Sequence, residues 1–125
     1  MNKLNYKMIP ASLYYALICV VSSLSINVNI HNVDKGLHTI EYSILGLLLA
    51  FGFNLTEFKL NKFLFRLLLV GLLLGCIDEI HQHFVPGRSM DIFDVCADIT
   101  GITLGSYIFT LSFPFISKLI EVKNK

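Results

Sequence analysis

The sequence predicts an all-α membrane protein, an antiparallel bundle of four transmembrane helices in one domain, 1–125. Three observations carry this prediction. The chain is 54% hydrophobic and 15% charged, with a mean hydropathy of +0.67. Its apolar residues form long blocks rather than following a helical or strand period, which is typical of membrane helices. The connections between the blocks are short, as in bundles of antiparallel neighbours.

Four stretches have the composition of a span, at 8–26, 37–55, 60–80 and 92–117. The first has no charged residue, and a secretory signal cleaved near Ser23-Leu24-Ser25 is the alternative, although its length fits a retained helix better. The second carries His38 and Glu41 near its start. The third is apolar over 63–77 and extends in both directions. The fourth contains Asp94 and Asp98 in its first turns.

Lysine and arginine are distributed unequally between the two sides of such a bundle. Eight lie at the N-terminus, around the connection after the second span, and at the C-terminus: Lys3, Lys7, Lys59, Lys62, Arg66, Lys118, Lys123 and Lys125. The other side has only Lys35 and Arg88. Because positive residues are retained in the cytoplasm, we predict a multi-pass protein of the bacterial cytoplasmic membrane with both termini cytoplasmic.

Small residues recur four apart in the last three predicted spans. Gly46 precedes Ala50, Gly71 precedes Gly75, and Gly101 precedes Gly105. This spacing allows two helix backbones to approach closely in lipid. The three pairs together predict tight packing of these helices.

Most acids and all four histidines lie at the outer end of the predicted bundle. Spacings of three or four residues place the members of each of three groups on one face of their own helix. The groups are His38 with Glu41, Asp78 with His81, and Asp91 with Asp94 and Asp98. Pro86-Gly87 predicts a sharp turn that folds Arg88 over this cluster. Ionisable groups inside a membrane are costly, so they mark a candidate functional site.

Each of these residues also has a structural interpretation. His38 could be an interfacial histidine with a hydrogen-bond partner, and Glu79 could face water. Asp91 fits a helix N-cap. Arg88 could neutralise Asp91 or Asp94, or could bind an anion through its planar fork. Asp94 and Asp98 are expected to face Glu41, His38 or Arg88 rather than lipid.

Several kinds of chemistry are compatible with this set of side chains. Carboxylates with histidine can hold a divalent ion, Arg88 and Lys35 can hold a phosphate or carboxylate, and an acid–base pair is conceivable. No HExxH, P-loop or nucleotide fingerprint occurs. No cofactor is predicted, the presence of a metal and of catalytic residues stays open, and nothing indicates nucleic-acid binding. The three cysteines fit apolar packing, with a Cys76–Cys96 bridge as an alternative.

Two segments resemble the VanZ-like family of membrane proteins. The first is Asp34-Lys35-Gly36-Leu37-His38-Thr39-Ile40-Glu41-Tyr42, followed by Gly46. The second runs from Asp78-Glu79-Ile80-His81-Gln82 through Pro86-Gly87-Arg88 to the three aspartates. The residues that the resemblance places in a ligand site are Lys35, His38, Glu41, Tyr42, Asp78, Glu79, His81, Gln82, Arg88, Asp91, Asp94 and Asp98.

The resemblance implies a membrane protein of the kind that accompanies glycopeptide-resistance operons and raises tolerance to teicoplanin. We therefore expect an outward-facing polar pocket for membrane lipid, such as a lipid-linked cell-wall precursor, or for a lipoglycopeptide. Two alternatives stay open. One is a membrane hydrolase or phosphatase that uses the Asp, Glu and His residues. The other is a structural adaptor without a ligand.

Overall fold

The computed structural model describes residues 6–24, 31–53 and 62–123. A 3-10 turn at Tyr6–Met8 leads into helix α1, Ile9–Ser23. Three longer helices follow: α2, His31–Gly52; α3, Lys62–His83; and α4, Ile92–Lys123. The described residues contain no strand, so the prediction of an all-α fold is confirmed.

Two helices extend further toward the charged segments than the predicted spans did. Helix α2 begins at His31, so Asp34 and Lys35 lie on the helix rather than in a loop. Asp34 is in the first turn, where the positive end of the helix dipole favours a carboxylate. Helix α3 continues to His83 and therefore carries the whole Asp78–Gln82 motif in its last turns.

The predicted turn after α3 is present and has a defined geometry. The amide of Arg88 donates a hydrogen bond to the carbonyl of Val85 over 3.1 Å, with Pro86 and Gly87 between them. Gly87 has φ +84°, which a type II turn requires at this position and which glycine adopts without strain. The turn sets the direction in which Arg88 leaves the bundle.

Helices α2 and α4 pack against each other along most of their length. Glycine makes this approach possible: a Cβ atom on Gly46 would lie 2.7 Å from the Cα atom of Ile102, and one on Gly101 would lie 2.6 Å from the carbonyl oxygen of Thr39. A Cβ atom on Gly105 would overlap the carbonyl oxygen of Ser43. The small-residue spacing thus marks real helix contacts.

Helices α1 and α3 complete the bundle with smaller contacts. Helix α3 packs on α4 beside Gly71 and Gly75, and α1 packs on α2 and α3. The buried members of the apolar core are Ala11, Ile18, Tyr42, Leu45, Leu49, Leu67 and Ile102. The hydroxyl of Tyr15 donates to the carbonyl of Leu74 over 3.1 Å and so joins α1 to α3.

One described helix segment, Ile92–Lys118, is long and apolar enough to cross a membrane by length and composition. Tyr6–Ser22 is a shorter apolar helix. Helices α2 and α3 do not meet the same criterion in their described residues, because both carry charged side chains within the helix. The four helices of the prediction are therefore present, whereas four spans are not established by length and composition.

Candidate functional site

The charged residues at the start of α2, the end of α3 and the start of α4 meet at one end of the bundle, where the polar residues Ser22 and Ser23 of α1 join them. Helices α1 and α3 end there and α2 and α4 begin there, so the sequence motifs of α2, α3 and the start of α4 become neighbours. Burial at this end is unusual for such side chains. The buried polar residues of the cluster are Ser22, His38, Asp78, Glu79, Gln82, Asp94 and Asp98.

A histidine–aspartate pair lies at the centre of the cluster. Nδ1 of His38 and Oδ1 of Asp98 are 2.9 Å apart, and Asp98 has no exposed surface. His38 is on α2 and Asp98 is two turns into α4, so the pair bridges the two most closely packed helices. The expectation that Asp98 faces His38 rather than lipid is confirmed.

Asp78 anchors a chain of hydrogen bonds that begins on α1. Its carboxylate accepts from the hydroxyl of Ser22 over 3.1 Å and from the side-chain amide of Gln82 over 2.9 Å. The same amide donates to Ser22 over 3.1 Å. The side-chain oxygen of Gln82, Oε1, accepts in turn from Nη1 of Arg88 over 3.2 Å. Asp78 is therefore an acceptor on both oxygens.

Lys35 holds the start of α4. Its ammonium donates to Oδ2 of Asp91 over 2.6 Å and to Oδ1 of Asp94 over 3.0 Å. The hydrogen bond that the ammonium donates to Asp91 is the main cause of a raised pKa for Lys35, so the ammonium keeps its charge. Asp94 therefore faces a cation, although the partner is Lys35 rather than one of the three residues expected.

Asp91 is the N-cap of α4, as its structural interpretation predicted. Its Oδ1 accepts from the amide of Phe93 over 2.9 Å, and its own amide donates to Oε2 of Glu79 over 2.6 Å. The Glu79 contact ties the beginning of α4 to the end of α3. Glu79 is buried, so the idea that it simply faces water is wrong.

Arg88 is not the counter-ion of Asp91 or Asp94. Its Nη1 atom lies 3.6 Å from Oδ1 of Asp34 and donates to Gln82, and its side chain is 21% exposed. Its Nε and Nη2 atoms make no hydrogen bond with any residue that the structure describes. The guanidinium is thus held in place through one nitrogen, and the side chain remains partly exposed.

Four buried polar atoms lack a hydrogen-bond partner within the described residues: the hydroxyl of Tyr42, Oε1 of Glu79, Nδ1 of His81 and Oδ2 of Asp98. His81 reaches Ser23 on α1 through its other nitrogen, 3.2 Å away. Glu41 is half-buried and forms no hydrogen bond to the described part of the chain. Leaving a buried polar atom unpaired is costly, so these atoms are candidates for ligand contact.

Two groups of side chains in the cluster could hold a metal ion. One is Asp34, His38 and Asp94, and the other is His38, Asp78 and Asp98; in each, one ligand atom per residue lies within 4.8 Å of the others. Cysteine does not contribute to either group. The three cysteines are free, so the alternative of a Cys76–Cys96 bridge is wrong.

An apolar groove opens beside the cluster between the end of α3 and the beginning of α4. Its volume is about 310 Å³. Most of its lining is hydrophobic, and Glu79 and Asp91 are the charged residues in it. The lining residues are Cys76, Glu79, Ile80, Met90, Asp91, Ile92 and Val95. The groove therefore joins an apolar surface to the edge of the charged cluster.

The fold and the site together define a four-helix protein whose polar groups are buried at one end, beneath an arginine on a tight turn. The chain belongs to the VanZ/LLP1 family, whose model matches residues 1–113. No curated protein and no solved structure matches the chain.

Two serines of the site were not predicted from the sequence. Ser22 supports Asp78 and Gln82, and Ser23 contacts His81. The available signal was their position, because both are polar residues at the end of an apolar block on the side where the acids lie. Serine is common in such blocks, so the signal points to them only once the helices are packed.

Proposed function

We propose that the chain is a multi-pass membrane protein whose four helices all cross the bilayer, with both termini cytoplasmic and the charged cluster outside. The outward surface of the described helices supports this. Large apolar side chains such as Leu13, Phe65, Leu73 and Phe115 are exposed, while the interior of one end is polar. That arrangement suits a lipid environment better than an aqueous one. The distribution of lysine and arginine sets the orientation.

Within that topology, the cluster binds the anionic headgroup of an outer-leaflet lipid. The observation that carries this is Arg88, which is held by Gln82 and Asp34 through Nη1 alone. Its Nε and Nη2 atoms form no hydrogen bond within the described residues and remain available as a fork for a phosphate or carboxylate. Lys35 does not share this role, because Asp91 and Asp94 occupy its ammonium.

The groove beside the cluster would hold the apolar chain of such a lipid. Ile80, Met90 and Ile92 are exposed side chains at its edge. A polyprenyl or acyl chain lying there would keep its headgroup at the level of the Pro86-Gly87 turn. A lipid-linked cell-wall precursor and a lipoglycopeptide such as teicoplanin both combine an anionic or polar head with an apolar tail. Tolerance to teicoplanin would follow if the protein sequesters or presents one of them.

A purely structural role for the cluster accounts less well for these contacts. A polar network that serves only to join helices is stabilising when every member is satisfied. Here Tyr42, Glu79 and Asp98 each keep a buried oxygen without a partner among the described residues. Residues retained at this cost are more consistent with a ligand than with an adaptor.

The test is direct binding of a short-chain polyprenyl diphosphate, and separately of teicoplanin, to the full chain in detergent micelles. We expect Arg88→Ala to weaken binding at least tenfold and Arg88→Lys nearly as much, because lysine keeps the charge but loses the planar fork. Arg66→Ala is the matched control, since Arg66 is an exposed arginine on the opposite half of α3. Equal binding by the wild-type and Arg88→Ala chains would show that Arg88 does not bind the anionic headgroup.

A hydrolase or phosphatase is the second candidate, and one observation favours it. Nδ1 of His38 is committed to Asp98, while Nε2 makes no hydrogen bond to the described residues. An aspartate that orients a histidine in this way leaves the second nitrogen able to act as a general base. Release of inorganic phosphate from the polyprenyl diphosphate, lost in His38→Gln, would identify an enzyme. Tight binding without phosphate release would leave the binding function.

A further inference from the structure

We propose that His38, Asp78 and Asp98 form a binding site for one divalent transition-metal cation. The three residues come from α2, α3 and α4, and all three are buried. A cation at this point would join three helices through a single centre. This inference does not rest on lipid binding and is tested without a lipid.

The charge balance of the cluster separates this triad from the neighbouring one. Asp94 is paired with Lys35, and Asp34 lies beside Arg88, so the acids of the other triad already have cations. Neither lysine nor arginine contacts Asp78 or Asp98 within the described residues. Two carboxylates buried with only one histidine between them favour the binding of a further positive charge, because an uncompensated charge in the interior is strongly destabilising.

Two unpaired oxygen atoms are the observation that points to a ligand rather than to a closed network. Oδ2 of Asp98 is fully buried and has no partner among the described residues, and the same is true of the Tyr42 hydroxyl. Tyr42 is one turn from His38, and their rings stack at 6.4 Å. Tyr42 is fully buried, so its hydroxyl, which has no partner among the described residues, lies in the interior of the bundle.

The separation between His38 and Asp98 fits a metal centre. Two ligand atoms at right angles and about 2.1 Å from a cation lie about 3 Å apart. Nδ1 of His38 and Oδ1 of Asp98 are separated by 2.9 Å, so a cation could replace the proton between them without moving either side chain far.

Asp78 has the hydrogen-bonded support that metal-ligating carboxylates usually have. Ser22 and Gln82 each donate to it, which fixes its orientation. Oδ2 accepts from Gln82 and, over 3.4 Å, from Ser22, whereas Oδ1 accepts from Ser22 alone. Because a carboxylate oxygen has two lone pairs, Oδ1 keeps one for a cation. Partners of this kind typically change metal affinity by about 10–100-fold when they are removed.

The ligand set limits the choice of metal. Imidazole disfavours Ca²⁺ and Mg²⁺, while two carboxylates disfavour soft, thiolate-preferring ions. Mn²⁺ and Zn²⁺ are compatible with one histidine and two carboxylates. We therefore expect both to bind more tightly than Mg²⁺.

The experiment is titration of the chelator-treated full chain with Mn²⁺, Zn²⁺ and Mg²⁺ in detergent micelles, by calorimetry and by thermal unfolding. Cys19, Cys76 and Cys96 are replaced by alanine so that no thiolate competes for zinc. The wild-type ligand set should bind one Mn²⁺ or Zn²⁺ per chain and unfold at a higher temperature with metal. Asp78→Asn and Asp98→Asn should each weaken binding at least tenfold, and Gln82→Ala by about 10–100-fold.

Asp34→Asn is the matched comparison, because Asp34 belongs only to the other triad. It should leave metal affinity within a fewfold of the wild-type value. If Asp34→Asn abolishes binding and Asp78→Asn does not, the proposed triad is wrong. If the cysteine-free chain with the intact ligand set neither binds Mn²⁺ or Zn²⁺ nor is stabilised by them, the proposed site does not exist. The same measurement on the chain with all its cysteines shows whether the alanine substitutions themselves impair folding, so a variant that fails to fold does not obscure this outcome.

Discussion

The imidazole of His38 and the carboxylate of Asp98 are joined at 2.9 Å inside the bundle, although 60 residues separate them in the chain. The contact lies beside the most closely packed stretch of α2 and α4, near the point where Gly101 meets Thr39. Close backbone approach and a buried polar pair thus occur together. The glycines bring the two helices near enough for short side chains to meet across them.

The first prediction concerns this pair. Asp98→Leu leaves the imidazole of His38 without its partner, and breaking a buried pair costs about 3–5 kcal/mol. Asp98→Asn keeps an acceptor for Nδ1 and should cost clearly less. Unfolding in detergent, followed by helical circular dichroism, measures both. Equal loss from the two variants would show that the charge of Asp98, rather than its hydrogen bond, is required for folding.

A second prediction concerns the glycines of the α2–α4 contact. Gly105→Ala places a methyl group against the carbonyl of Ser43, and Gly46→Ala places one against Ile102. Overpacking of this kind costs about 1–3 kcal/mol, measured as the change in free energy of unfolding. Gly36→Ala is the matched control, because nothing lies within 4 Å of a Cβ atom there. Alanine at position 36 should be neutral or slightly stabilising; an equal loss there would contradict the assigned helix contact.

A third prediction concerns the two ion pairs of Lys35. Lys35→Gln leaves buried Asp94 without a cation and should destabilise the chain by about 1.5–3 kcal/mol, the usual worth of a hydrogen bond to a charged group. Asp94→Asn in the same chain should restore part of the loss, since the unpaired charge is then removed. A double-mutant cycle on unfolding free energies gives the coupling. Additive effects of the two substitutions would mean that the ion pair contributes little.

A fourth prediction concerns orientation. In a chain lacking Cys19, Cys76 and Cys96, a cysteine introduced at exposed His83 should react with a membrane-impermeant thiol reagent on intact cells. A cysteine at exposed Lys118 should react only after the cells are opened. Both expectations follow from the positive residues on the side of the termini. The reverse pattern would place the charged cluster in the cytoplasm.

Sequence and structure agree where local chemistry decides the outcome. The turn at Pro86-Gly87, the N-cap at Asp91 and the three small-residue pairs each depend on residues close in the chain, and each could be predicted. The partners of Lys35 and Arg88 could not. Their choice depends on α2 beginning at His31 and on how far α4 extends beside it, and the composition of the chain does not specify either.

Burial also separates residues that look equivalent in the sequence. Glu41 lies near the start of one apolar block and Glu79 near the end of the next, yet Glu41 is half-buried, whereas Glu79 is buried and accepts a hydrogen bond from the amide of Asp91. The difference comes from the connection between α3 and α4, which brings the start of α4 over Glu79. A motif identifies the residues of such a site, but only the packing of the helices shows which of them share it.

The central claim is that an anionic lipid lies in the groove between α3 and α4 with its headgroup near Arg88. A photoreactive amino acid at position 90 tests it most directly, because Met90 lines that groove. The same amino acid at position 104 is the control, since Leu104 lines a larger groove of about 470 Å³ elsewhere on α3 and α4. After irradiation of living cells, mass spectrometry of the purified chain should find a polyprenyl-linked adduct at position 90 and only bulk phospholipid at position 104. Bulk phospholipid at both positions, in cells that contain the precursor, would contradict the account.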